Sequence, residues 1–142
     1  MESEMPLKAE WLDVQHTIMG CTGEGTWTWD DYHKTLDDIA SQFVAARRRV
    51  DLVIMSAPNA VVPKGSSMPH YQRAMRIMPP NMGLLVLVTT NTFARTIVSI
   101  FTKVYPNKDN VKMVMVASLH EALTRIETDR LKQAKQGTQG RV

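Results

Sequence analysis

Apolar positions along the chain alternate between two spacings, and the change from one to the other marks the elements. Over residues 28–48, Trp29, Tyr32, Leu36, Ile39, Phe43 and Ala46 recur at steps of three and four, the row a helix turns toward a core. Thr28 with Asp31 three residues on predicts a capping box, and Asp30 and Asp31 place negative charge at the positive end of that helix. Arg47, Arg48 and Arg49 follow, and are expected to close the helix against its negative end. Residues 51–56 form a short apolar run that predicts a strand buried on both faces. Residues 83–89, GLLVLVT, give the strongest strand signal, and 111–116 predict another. Ahead of the long helix, two short strands are expected over 8–13 and 16–24 with a tight turn at Val14-Gln15, the second loosened by Gly20, Gly23 and Gly25.

Three more helices are predicted. One covers 68–78, with Met68, Tyr71, Met75 and Met78 on one face and Pro79-Pro80 ending it. The next covers 91–104, with Phe93, Ile97, Ile100, Phe101 and Val104 turned inward and Pro106 stopping it. The last opens at Ser118 through a second capping box with Glu121, and faces Leu119, Ala122, Leu123 and Ile126 inward. The order ββαβαβαβα predicts an α/β fold: a single mixed, largely parallel sheet with four helices, the opening hairpin supplying the antiparallel part. The expected organisation is a flexible N-terminus over 1–7, one domain over 8–127 and a disordered basic tail over 128–142, where the composition turns to Gln, Lys, Gly and Thr.

Composition changes this picture little. With 44% hydrophobic and 22% charged residues in 142, the chain has the makeup and size of one globular domain that needs no disulfide or metal to hold it. The lone Cys21 and the acidic, polar opening MESEMPLKAE predict a cytoplasmic protein, and no apolar run approaches the roughly 20 residues of a membrane span. The formal charge of +3 resides wholly in residues 128–142, where Arg130, Lys132, Lys135 and Arg141 face Asp129. A basic tail on a neutral body does not predict a specific nucleic-acid groove. Within the body, residues 1–51 hold 10 acids and 5 bases while 52–127 hold 3 acids and 8 bases. These opposed halves, with the aromatic pair Trp27 and Trp29 at a helix start, predict a homodimer.

The chain resembles the SpoIIAA-like domains, relatives of the STAS domains of anti-anti-sigma factors and anion-transporter tails. The likeness is carried by Gly25-Thr-Trp27-Thr-Trp29-Asp-Asp-Tyr32 opening a long helix, by Val50-Asp51-Leu-Val-Ile entering a strand, by Pro79-Pro-Asn-Met-Gly83 before an apolar strand and by Ser118-Leu-His-Glu-Ala122 before the last helix. It covers about residues 9–127. The resemblance implies a four-helix, mixed-sheet fold used to bind a partner protein or a small ligand, in some relatives an apolar or lipid-like one, without catalysis. In the anti-anti-sigma branch a serine in an Asp-Ser-Ser-Gly-Leu type motif opening the second helix is phosphorylated. The corresponding stretch here is Lys64-Gly65-Ser66-Ser67-Met68, which keeps the serine pair, the candidate phosphoacceptors Ser66 and Ser67, but lacks the acid and the Gly-Leu.

Candidate chemistry is correspondingly thin. His16, His33, His70 and His120 each fall in a different element, GxGxxG and GxxxxGK patterns are absent, and Cys21 lies in a predicted strand. No catalytic residue, metal site or cofactor is predicted. Two sets of residues remain as binding candidates. Lys64, Ser66 and Ser67 at a helix N-terminus, with Arg73 and Arg95, suit an anion. Met68, Tyr71, Met75 and Met78 suit an apolar ligand, because methionine adapts to more than one apolar surface.

Overall fold

The structure is a computed structural model, and it describes residues 7–56, 65, 68–90 and 112–139. Among the described residues, five strands form one sheet: β1 (Leu7–Trp11), β2 (Ile18–Gly23), β3 (Val50–Ser56), β4 (Met82–Val88) and β5 (Lys112–Val116). Spatial order follows chain order, with β1 antiparallel to β2 and every later pair parallel. Three helices are described, α1 (Trp29–Ala46), α2 (Met68–Ile77) and α3 (Leu119–Gln139). The helix expected over 91–104 lies outside the described residues.

The α1 capping box forms as its sequence predicts: Asp31 N–H donates to Thr28 Oγ1 and Thr28 N–H to Asp31 Oδ2, each at 3.0 Å. Leu36, Ile39 and Phe43 are its buried stripe. Of the three arginines expected to close it, the first does so and the other two bond elsewhere. Arg47 is the cap residue in the left-handed conformation, φ 55°, and Arg48 reaches back to the Gln15 carbonyl. Asn81 Nδ2 donates to the helix-terminal Phe43 carbonyl and, beyond the cap, to the Arg48 carbonyl, at 2.7 Å each.

Alternation along β3 splits the core into two layers. Val50 and Leu52 join Met19, Cys21, Ile39, Phe43 and Met82 on the face that α1 and α2 cover. Val53 joins Leu84, Val86, Ala122 and Ile126 on the opposite face, under α3. With α1 and α2 on the same face while the strands advance in one direction, the crossovers have the arrangement that right-handed βαβ units produce. Between β3 and β4 the register slips: Val50 faces Met82, yet Leu52 faces Leu85. This bulge brings the Leu84 amide onto the Asp51 side chain at 2.7 Å.

The last helix differs from expectation. It continues through Gln139, where the sequence predicts a disordered tail from 128, and Asp129 is buried within it. Starting at the carboxyl end of β5, α3 runs back along the sheet at about 1.5 Å per residue, so Asp129 and Arg130 arrive at the opposite end of the strands. Leu119 and Leu123, expected to face inward, stay more than a third exposed.

Candidate functional site

The two ends of the sheet differ in chemistry. At the amino ends of the parallel strands, Asp51 is fully buried and ionically saturated. Its Oδ1 accepts from Arg49 Nη2 at 2.8 Å and from Arg49 Nε at 3.1 Å as well as from the Leu84 amide. Its Oδ2 accepts from Arg130 Nε at 2.8 Å. Arg49 also pairs with Asp129 at 2.9 Å and bonds Gln133. Arg130 donates to the Thr17 carbonyl at 2.9 Å and to its hydroxyl at 3.2 Å. The two arginines balance the two aspartates. Attraction from Asp51 and Asp129 outweighs burial and holds the Arg49 guanidinium above its usual pKa. Asp13 extends the cluster: burial alone would raise its carboxyl, but hydrogen bonds from Thr17 and Ile18 and the nearby Arg130 bring it below the ordinary value. Three carboxylates thus share two guanidiniums and the Thr17, Ile18 and Leu84 donors, so this end is a clamp tying β2, β3, β4 and α3 together.

The carboxyl end is aromatic and only partly charged. Trp29 opens α1, Tyr32 and His33 follow on its first turn, and His70, Tyr71 and Arg73 lie on α2. Trp29 stacks on His70 with ring centroids 4.0 Å apart and planes 9° from parallel. Trp27, Tyr32 and Tyr71 close around it in edge-on and tilted contacts. His33 Nε2 lies 2.8 Å from His70 Nδ1, and Arg73 Nη1 lies 3.1 Å from His33 Nδ1 while its Nη2 pairs with Asp37 at 2.8 Å.

These contacts dictate where the protons are. A guanidinium only donates, so His33 Nδ1 is an acceptor, and a neutral His33 then carries its proton on Nε2. That proton is given to His70 Nδ1, which leaves the proton of His70 on its own Nε2. The chain runs from Arg73 through His33 to the Nε2–H of His70. Burial, then the charge of Arg73 and the neighbouring His70, lower the His33 pKa against the smaller pull of Asp37 and Asp30, in keeping with a neutral ring.

Of the predicted site residues, the structure brings Tyr71 and Arg73 into this cluster. Met75 and Met78 are instead packed against the layer of Ile39 and Phe43, so much of the methionine face is core. Met68 is the first residue of α2. Lys64, Ser66, Ser67 and Arg95 lie outside the described residues; Gly65 between them is exposed with φ 100°. Cys21 is buried, and its thiol is pushed up to about 11 by that burial, the state of an inert core thiol. Burial, with Tyr71 and Cys21 nearby, raises the Tyr32 phenol as well.

Sequence reasoning missed His33 with His70, and Asp51. Nothing local links two histidines on different helices, whereas an aspartate in the apolar run Val50–Ser56 was a readable sign of a buried ion pair. No family model, curated protein or solved structure matches the chain.

Proposed function

We propose that the chain is a non-enzymatic SpoIIAA/STAS-like binding module that takes an amphipathic, lipid-like ligand at the carboxyl end of its sheet, on the surface of Trp29, His70, Tyr71 and Arg73. The observation that carries this reading is the Trp29–His70 stack, with a ring N–H of fixed direction at its tip. Aromatic rings suit the apolar body of such a ligand, and the His70 Nε2–H suits an acceptor head group. Two further points support it. Ligands of open α/β sheets gather outside the carboxyl ends of the strands, and the opposite end is occupied by mutually bonded charges. A non-catalytic role is supported by the state of the reactive groups: the histidines are bonded to each other, and the Cys21 thiol and Tyr32 phenol are held in their protonated forms. The mixed sheet with an antiparallel first strand is in keeping with the family resemblance.

Titrating the protein with dodecyl phosphate below its micellar concentration, while following tryptophan emission, tests the reading. A saturable change that is lost in His70→Phe is expected. Saturation by inorganic phosphate alone would reduce the site to an anion site, and no saturable change with dodecyl phosphate would overturn the proposal.

A further inference from the structure

β1 is an edge strand, and its hydrogen-bonding parity can be read from the register. Lys8 faces Thr22 and Glu10 faces Gly20. Continued by two residues, that register sets Leu12 against Ile18, and the Leu12 amide donates to the Ile18 carbonyl at 2.7 Å. The even positions are therefore the hydrogen-bonded pairs of the hairpin, since such pairs alternate along an antiparallel ladder. The amides and carbonyls of Leu7, Ala9 and Trp11 consequently point away from β2, along an edge that pairs with no other strand among the described residues.

We propose that this edge is the dimer interface: β1 pairs antiparallel with β1 of a second copy about a two-fold axis through Ala9, joining both sheets into one. In that register Ala9 faces Ala9 of the partner subunit and Leu7 faces Trp11 of the partner subunit, both at hydrogen-bonded positions, so every outward amide and carbonyl of the strand finds a partner. Lys8 and Glu10, both exposed, occupy the closer, non-hydrogen-bonded positions. Lys8 there faces Glu10 of the partner subunit, and symmetry repeats the ion pair. The charges also select the register. A slip that moves the axis to Lys8 sets lysine against lysine, and one that moves it to Glu10 sets glutamate against glutamate. Beside the edge, an open groove of about 300 Å³ between β1 and α1 is lined by Lys8 and Lys34 and by Asp31 and Asp38, so it adds no single-sign charge against a second copy. None of the strand residues of this interface belongs to the proposed ligand surface, whose residues lie on α1 and α2.

Sedimentation velocity of the full chain over a concentration series tests the interface. The parent is expected to dimerise, with protection from amide exchange at Leu7, Ala9 and Trp11 rising with concentration. Lys8→Glu and Glu10→Lys each turn both cross-strand pairs into like charges and are expected to weaken association by about tenfold. Because both positions are exposed, the fold stays intact, which circular dichroism verifies. An equimolar mixture of the two variants restores opposite charges across the interface and is expected to form the heterodimer, and the double variant to regain the parent's affinity. A parent that stays monomeric at all concentrations, or one whose association ignores both single charge reversals, would overturn the proposal.

Discussion

Arg130 Nε lies 2.8 Å from Asp51 Oδ2 across 79 residues of sequence. The pair binds the fourth helical turn of α3 to the second residue of β3, and the buried carboxylate also holds Arg49 and the Leu84 amide. Helix and sheet therefore depend on each other at this end. Removing residues 128–142 is expected to destabilise the domain, because Asp51 and Arg49 lose their helical partners. Arg130→Ala, at a side chain still a third exposed, is expected to cost about 2 kcal/mol, and Asp51→Ala about 3–5 kcal/mol because it removes the buried acceptor shared by Arg49, Arg130 and the Leu84 amide. Urea denaturation measures both, and a truncated chain melting like the parent would contradict the clamp.

Gly83 sits in the bulge where no side chain fits. A Cβ built there would meet Asp51 Oδ1 at 2.5 Å and Arg49 Cζ at 2.8 Å. Gly83→Ala is thus expected to destabilise by about 1–3 kcal/mol by overpacking. The loss should shrink in an Arg49→Ala background, where part of the obstruction is gone. Equal losses in both backgrounds, read from a double-mutant cycle, would rule out this cause.

The proton order of the histidine pair has a pH consequence. His33 is neutral in the fold with a lowered pKa, so the unfolded chain binds its proton at higher pH than the folded one. Its contribution to stability is complete above the ordinary value near 6.5 and is lost as pH falls from there through the lowered folded value. Asp13, also lowered, loses its contribution only in more acid solution, below its ordinary 3.8. Stability measured against pH is expected to decline in two separate windows, and His33→Phe should remove the first. Long-range nitrogen-edited NMR near neutrality should find both histidines protonated on Nε2; a proton on His33 Nδ1 would contradict the relay.

What was legible in the sequence is what periodicity and capping encode locally. The stripe Leu36, Ile39, Phe43, the Thr28–Asp31 box and the apolar run of β4 each announce an element without help from elsewhere. The course of α3 past residue 127 was not legible, since its apolar row thins and Leu131 is exposed; charge pairing to Asp51 takes over where burial ends. For the same reason Arg49 looked like a helix-terminal charge, although its partners are Asp51 and Asp129. The methionines of α2 have the spacing of either a core face or a ligand face, and only the packing of Met75 and Met78 on α1's stripe separates the two.

Ligand binding at the carboxyl end is tested most directly by native mass spectrometry of the protein purified from its own cells, alongside His70→Phe and the amino-end variant Arg130→Ala. An apolar adduct is expected on the parent and on folded Arg130→Ala, and should be absent from His70→Phe. A parent free of adduct, an adduct that survives His70→Phe, or a mass increment of one phosphate in place of a lipid would contradict the account, the last pointing instead to phosphorylation of Ser66 or Ser67.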